Sequence, residues 1–380
     1  MAGEIPFYEY DLKKGSLKAY SLNDRIDQTN LERIVSSRDG KHEPLSLMEI
    51  EKDIIIVREL NSLGELEIKV SPEPSHVPKE FQPSRRLLEN QKKRKMLIDA
   101  YRLKTNNPDA LQDLYNIFNG SVMVVKDGNV KIPLEVCKGG FFDFKATELI
   151  SVPSLLLPKI YPEGKTIGNL LPEYQLSINQ LARYLGFAFI LLPSDGAEIS
   201  FVHRAKGMGI ATDCMALSGA TPFWRDMESV LKNTLKEHKF YSALHDLIPE
   251  KLSNSFMRKA FGKEGPFPYG FYDPYFDFEK YFISIIQKEI EEEYKLGPNE
   301  FRIGKCYLVD DKTSVPFIAI EIITKLSTYE IAQGCFNDPE VNKEHPILYS
   351  INKKAVPDLT KRFLLLPSSA YVLNKVAANR

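Results

Sequence analysis

The chain contains little cysteine, and its cysteines stand far apart. The four in 380 residues are Cys137, Cys214, Cys306 and Cys335. No two of them have the short spacing of a zinc-ligand pair, and together they lack the framework of a disulfide-stapled domain. The sequence therefore predicts buried thiols in a reducing compartment, and we expect a cytoplasmic protein.

Long apolar segments are also missing. The longest apolar runs, residues 185–193 and 363–367, are far shorter than the roughly 20 residues that span a bilayer. Residues 1–16 contain no apolar core of the kind that a signal peptide requires. We expect no membrane partner.

A strong charge of either sign is absent as well. Lysines and arginines number 50 against 51 aspartates and glutamates, which gives a net charge of −1. No field of one sign therefore favours nucleic acid or an anionic membrane. The basic patch at residues 92–95 has no interleaved aromatic residues for base stacking, which favours a solvated helix face. We expect no nucleic-acid partner.

A length of 380 residues exceeds one typical core and predicts two parts. The mixture of strand-like and helical segments along the chain predicts an α/β (α+β) protein. Residues 1–120 are predicted to form a mixed N-terminal region. This region includes a proline-rich linker at 71–83 and a basic, mostly helical segment at 85–119. Residues 121–380 are predicted to form the second domain. Pro367 interrupts a predicted C-terminal helical pair.

Three hairpin signals lie in the second part. Asp127-Gly128 and Asp195-Gly196 each separate two apolar runs, which is typical of tight β-turns. A third strand pair is predicted within residues 305–324. We expect one mixed sheet with a helix over residues 278–296 packed against it. The strands predicted for that sheet lie near 186–192, 198–203, 304–309 and 316–323.

The predicted helix at 278–296 carries three glutamates near its end and is about five turns long. At about 100° per residue, one apolar stripe contains Phe278, Tyr281, Phe282 and Ile285. The same arithmetic places Glu289, Glu292 and Glu293 within about 60° of the centre of that stripe. Carboxylates turned toward a core are costly unless they are neutralised, and a divalent cation neutralises them directly. The alternative is a solvated acidic face with i,i+4 pairs to Lys288 and Lys295.

The segment KEIEEEYKL, residues 288–296, resembles the signature helix of the Nudix hydrolase superfamily. The core pattern of that helix is Arg-Glu-apolar-x-Glu-Glu-x-Gly-apolar. Lys288 stands at the arginine, Glu289 at the first glutamate, and Glu292 and Glu293 at the metal-binding pair. The resemblance covers about residues 185–376. It implies a C-terminal Nudix-like mixed sheet flanked by helices. The resemblance also implies that residues 121–380 form this domain, with lead-in strands and an insertion at about 225–275.

The resemblance also implies a function, which is Mg²⁺- or Mn²⁺-dependent hydrolysis of a phosphoanhydride bond. The substrate would be a nucleoside-diphosphate-linked small molecule. The implied metal ligands are Glu289, Glu292 and Glu293, with Glu279 as an auxiliary ligand. Glu289, Glu293 and Lys288 would be catalytic, with Lys288 orienting Glu289 and an acidic residue acting as general base. His203 and Arg204, at the end of a predicted strand, would contact substrate phosphate.

The sequence departs from the family pattern at three places. Lys295 replaces the glycine, Lys288 lacks the planar fork of arginine, and Glu279 lies one residue from the expected upstream glutamate. These departures leave open an alternative in which a Nudix fold with an eroded site serves as a ligand-sensing or protein-interaction module. A second alternative is an interaction protein whose N-terminal half is the functional part.

Overall fold

The computed structural model describes two β-sheets and the helices that cover them. The described residues are 6–21, 54–71, 76–83, 86, 121–128, 130–140, 174–177, 180–203, 215–222, 277–311, 315–357 and 367–378. Their strands are β1 (Pro6–Asp11), β2 (Ser16–Ser21), β3 (Ile54–Leu60), β4 (Ile68–Val70), β5 (Ser121–Val125), β6 (Leu134–Gly140), β7 (Arg183–Tyr184), β8 (Gly186–Leu192), β9 (Glu198–His203), β10 (Met215–Ala216), β11 (Phe301–Asp311), β12 (Phe317–Thr324) and β13 (Ile347–Asn352). Their longer helices are α1 (Phe278–Tyr294), α2 (Thr328–Cys335), α3 (Pro339–Glu344) and α4 (Pro367–Ala378). Single helical turns lie at Leu63–Glu65, Lys79–Phe81 and Lys353–Ala355, and turns with left-handed residues lie at Lys126–Gly128 and Pro193–Gly196.

The larger sheet has nine described strands and is mixed. Its order is β2–β1–β13–β9–β8–β12–β11–β3, with β10 paired to β9. β12 and β8 run parallel, whereas the other paired strands are antiparallel. All four strands predicted for one mixed sheet belong to it, so that prediction is confirmed. β1, β2 and β3 precede residue 120, so strands on both sides of this position share one sheet.

The smaller sheet has the order β4–β6–β5–β7. Its antiparallel β5–β6 pair turns through Lys126–Gly128, where Asp127 has a φ of 53°. The turn between β8 and β9 likewise has Ser194 and Asp195 at positive φ. Both predicted Asp-Gly turns are therefore confirmed, because each places an aspartate or glycine in the left-handed region that these residues tolerate.

Helices cover both faces of the larger sheet. α1 packs on one face, where the ring of Phe282 meets the ring of Phe187 edge to face at 4.9 Å. α2 and α3 contribute to the same core, as do apolar residues of the smaller sheet. α4 covers the opposite face through Val372, Leu373 and Val376. This arrangement confirms the α+β class.

Helix α1 has a defined start and end. The side chain of Asp277 accepts a hydrogen bond from the amide of Lys280 at 2.9 Å, which caps the N-terminus. At the other end Lys295 adopts a left-handed conformation with a φ of 56°. The chain therefore leaves the helix at the position that the Nudix pattern gives to glycine, the residue best suited to this conformation.

Several predictions fall on residues without a described structure. Three predicted features lie outside the described residues: the insertion at about 225–275, nearly all of the basic segment at 85–119, and the first helix of the C-terminal pair.

Cys137, Cys306 and Cys335 are buried, and none of the three is in a disulfide, as predicted. Across the described residues, no helix is both long and apolar enough to cross a membrane.

A capping box fixes the start of α2. Ser327 Oγ accepts a hydrogen bond from the Glu330 amide at 3.3 Å, and the Glu330 carboxylate accepts one from the Ser327 amide at 2.8 Å. We expect Ser327→Ala to lower the free energy of unfolding by about 1 kcal/mol, because the side-chain acceptor for the Glu330 amide is lost. Urea denaturation measures the change. Ser327→Thr keeps the hydroxyl and is the control, so an equal loss in both variants would contradict the capping role.

Candidate metal centre

Helix α1 turns one of its terminal glutamates into the core. Glu293 is only 8% exposed, and Glu289 is half-buried. The Glu292 side chain is 58% exposed and lies 3.8 Å from the Lys288 ammonium group. The prediction that Glu292 continues the buried face is therefore wrong, and the i,i+4 surface pair describes this residue instead.

The angular position of the buried face around the axis of α1 explains why Glu292 is exposed although it was predicted to be buried. Its members are Tyr281, Phe282, Ile286, Ile290, Glu293 and Tyr294. At 100° per residue, the centre of this face lies about 90° from the centre of the predicted stripe. Glu293 is about 20° from the observed centre, Glu289 about 60°, and Glu292 about 120°.

Glu293 meets two further ligand-type side chains, Glu344 and His345. Glu293 Oε1 lies 3.3 Å from His345 Nε2, and His345 is 2% exposed. One ligand atom from each of Glu293, Glu344 and His345 lies within 4.8 Å of the other two. Glu293 Oε2 and His345 Nδ1 are buried and have no hydrogen-bond partner among the described residues. We call these three residues the Glu293 cluster.

The segment from α2 to β13 positions Glu344 and His345. α3 ends at Glu344, and the His345 amide donates a hydrogen bond to the Val341 carbonyl at 2.8 Å. Asp338, just before α3, forms an ion pair with Lys295 at 2.9 Å. This ion pair joins the start of α3 to the end of α1 and so brings the two parts of the cluster together.

Burial and neighbouring charge shape the electrostatics of the site. Burial raises the pKa of Glu289 to about 8, with further increases from Glu293, Glu292 and Glu344 and an opposing effect from Lys288. Burial also raises the pKa of the Cys335 thiol to about 12. That thiol donates to the Glu293 carbonyl at 3.8 Å. Cys335 is therefore a protonated donor in the metal-free protein.

The raised pKa of Glu289 predicts a pH dependence of stability in the metal-free protein. Because the folded-state pKa of about 8 exceeds the usual 4.5, the folded protein binds more protons between these values. The free energy of unfolding should therefore fall as the pH rises from 5 to 8, by about 2 kcal/mol after allowance for solvent screening. Urea denaturation across this range tests the slope. Glu289→Gln should flatten it, whereas the exposed control Glu291→Gln should keep it, and an unchanged slope in Glu289→Gln would contradict the assignment.

The Glu293 cluster suits a divalent cation. Carboxylate oxygens and an imidazole nitrogen are common ligands of divalent metals, and the buried, unpartnered Glu293 oxygen is the kind of atom that a cation satisfies. Ligand atoms on opposite sides of an ion with bonds of about 2.1 Å lie about 4.2 Å apart. The observed separations within 4.8 Å therefore require only small side-chain movements.

Other residues predicted for the site lie elsewhere. Glu279 is 14 residues before Glu293 on α1, which corresponds to about 21 Å along the helix axis, so the two cannot share one ion. The Glu279 carboxylate instead approaches Gly64.

His203 also lies away from the cluster. It is the register partner of Ile347, near His345 in sequence, but its ring contacts Tyr349 in the core on the face opposite α1. The structure therefore does not bring His203 to the Glu293 cluster. Arg204 lies outside the described residues.

Sequence reasoning missed Glu344 and His345. The available signal was local, since Glu344-His345-Pro346 places two ligand types immediately before an apolar run. A lone adjacent pair of this kind is weak evidence, and only the fold shows that it meets α1.

A scan against protein-family models gives no match for this chain, and a search of curated proteins gives none either.

Proposed function

We propose that the chain is a divergent Nudix-type hydrolase that cleaves a phosphoanhydride bond in a nucleoside-diphosphate-linked small molecule, with Mg²⁺ or Mn²⁺ as its cation. The observation that carries the proposal is the buried Glu293 carboxylate, whose unpartnered oxygen lies beside Glu344 and His345 on the helix that bears the motif. The left-handed Lys295 at the glycine position of the motif supports the same interpretation.

In this proposal, different residues of the chain hold the cation, act as the general base and contact the substrate. Glu293 and Glu344 hold the cation, which supplies Lewis acidity toward diphosphate oxygens when bound. Glu289, half-buried on the same helix one turn before Glu293, is proposed to accept the proton of the attacking water as general base. Lys288 pairs with Glu292 at the surface, and its charge also opposes the rise that burial causes in the pKa of Glu289, so its proposed role is to orient that carboxylate. Arg204 is proposed to contact substrate phosphate.

The buried thiols favour a reducing compartment, and we propose that the protein acts in the cytoplasm on a nucleotide-like substrate. The proposal is tested with protein stripped by a chelator and then supplied with Mn²⁺ or Mg²⁺. A panel of dinucleotides and nucleotide sugars should include at least one compound that releases phosphate-containing products. Turnover should need the added cation and should disappear when the chelator is restored.

One observation favours a second candidate function. Glu292, at a metal-binding position of the motif, faces solvent beside Lys288, where the motif has arginine. An eroded Nudix fold that binds a nucleotide as a sensor or interaction module would show this feature. Saturable nucleotide binding with no turnover at any cation concentration would favour that function and would contradict hydrolysis.

A further inference from the structure

We propose that Glu293, Glu344 and His345 bind a divalent ion of the Mn²⁺, Fe²⁺ or Zn²⁺ class, with the His345 imidazole as a direct ligand. The inference deepens the proposed function by naming the kind of cation that its site takes. It does not require turnover, so it can be tested by binding alone.

The nitrogen donor separates this class of ion from Mg²⁺. His345 is 2% exposed, and its Nε2 atom lies 3.3 Å from a Glu293 oxygen. Mg²⁺ prefers oxygen ligands and retains several waters, which a buried imidazole does not replace well. Imidazole suits the later divalent metals, whose affinities generally rise along the series from Mn²⁺ toward Cu²⁺.

A hydrogen bond between His345 and Glu293 accounts for only part of the cluster. It leaves Glu293 Oε2 buried without a partner among the described residues. Buried polar atoms in native proteins are seldom left in this state. The Glu344 carboxylate also lies near the Glu293 carboxylate, and a cation between them would offset the repulsion of the two negative charges.

The ligands come from two separate segments. Glu293 lies on α1, whereas Glu344 is the last residue of α3 and His345 follows it, 52 residues after Glu293. An ion held by all three therefore ties these segments together. Because it binds the folded chain and not the unfolded one, it should raise the melting temperature in proportion to the logarithm of its concentration.

The first test is isothermal titration of the chelator-stripped, full-length protein with Mn²⁺, Zn²⁺ and Mg²⁺. We expect Mn²⁺ and Zn²⁺ to bind at least about tenfold more tightly than Mg²⁺. His345→Gln should weaken Mn²⁺ binding by at least about tenfold. The matched controls are His76→Gln and Glu291→Gln, which change an exposed histidine and an exposed glutamate and should leave the affinity unchanged.

The second test needs no variant and so is independent of whether His345→Gln folds. Pulsed electron paramagnetic resonance of the Mn²⁺-loaded wild-type protein should show nitrogen-14 coupling from a coordinated imidazole. Lack of that coupling, or equal affinity for Mn²⁺ and Mg²⁺, would overturn the inference. Coupling without hydrolysis would contradict only the proposed function, whereas Mg²⁺-dependent hydrolysis without coupling would contradict only this inference.

Discussion

Glu293→Gln is expected to lower cation-dependent turnover by at least about 100-fold. Glutamine keeps the shape of the side chain and its ability to form hydrogen bonds, but it removes the charge that holds the cation. Loss of an outer-sphere partner alone costs about 10- to 100-fold in many metal sites, so loss of a direct ligand should cost at least as much. Steady-state kinetics on the best substrate of the panel measure the change.

The same substitution should have the opposite effect on the metal-free protein. Glu293 is buried and one of its oxygens has no partner among the described residues, so removing its charge should raise the melting temperature without metal. Glu291→Gln, on the exposed side of α1, is the control for both measurements. Unchanged turnover in Glu293→Gln would show that the chemistry lies elsewhere in the chain.

Arg183→Met is expected to destabilise the protein by about 3 kcal/mol, because Arg183 links the two sheets through a buried charge. The guanidinium is 2% exposed and donates to the Gly128 carbonyl at 2.9 Å, and to the Asp310 carboxylate and the Asp311 carbonyl, each at 2.7 Å. Methionine fills a similar volume but leaves these three acceptors without their donor. Acceptors that lose their partner in a buried site carry the full cost of desolvation.

Urea denaturation of Arg183→Met gives the magnitude. The control is Lys305→Met, which removes an exposed ion pair to Glu59 between β11 and β3. A surface pair contributes little, so the control should lose much less stability than Arg183→Met. Equal losses in the two variants would contradict a linking role for Arg183.

The parts of the fold that the sequence predicts are local. Asp127-Gly128 and Asp195-Gly196 predict their hairpins because the turn residues and the flanking apolar runs are neighbours in the chain. The pairing of β1 with β13, which places Phe7 opposite Ile351, leaves no comparable local signal. The sequence therefore predicts a separate mixed N-terminal region and gives β1 no place in the larger sheet.

The candidate site likewise combines a residue predicted from local spacing with residues that only tertiary packing brings together. Glu293 was predicted from the spacing of residues along one helix, and its burial follows from that spacing. Glu292 was misplaced because the predicted stripe used only the first half of α1, whereas Ile286, Ile290 and Tyr294 shift the buried face. Glu344 and His345 join through tertiary packing between α1 and α3, which periodicity within a single segment does not predict.

The most direct test of a cation site at the Glu293 cluster is an anomalous difference map from crystals soaked in Mn²⁺ and measured at the manganese absorption edge. We predict a peak between the Glu293 and Glu344 carboxylates and the His345 ring. A peak only at the solvent-facing side of α1 beside Glu292, or no peak at a Mn²⁺ concentration that saturates binding in solution, would contradict the site.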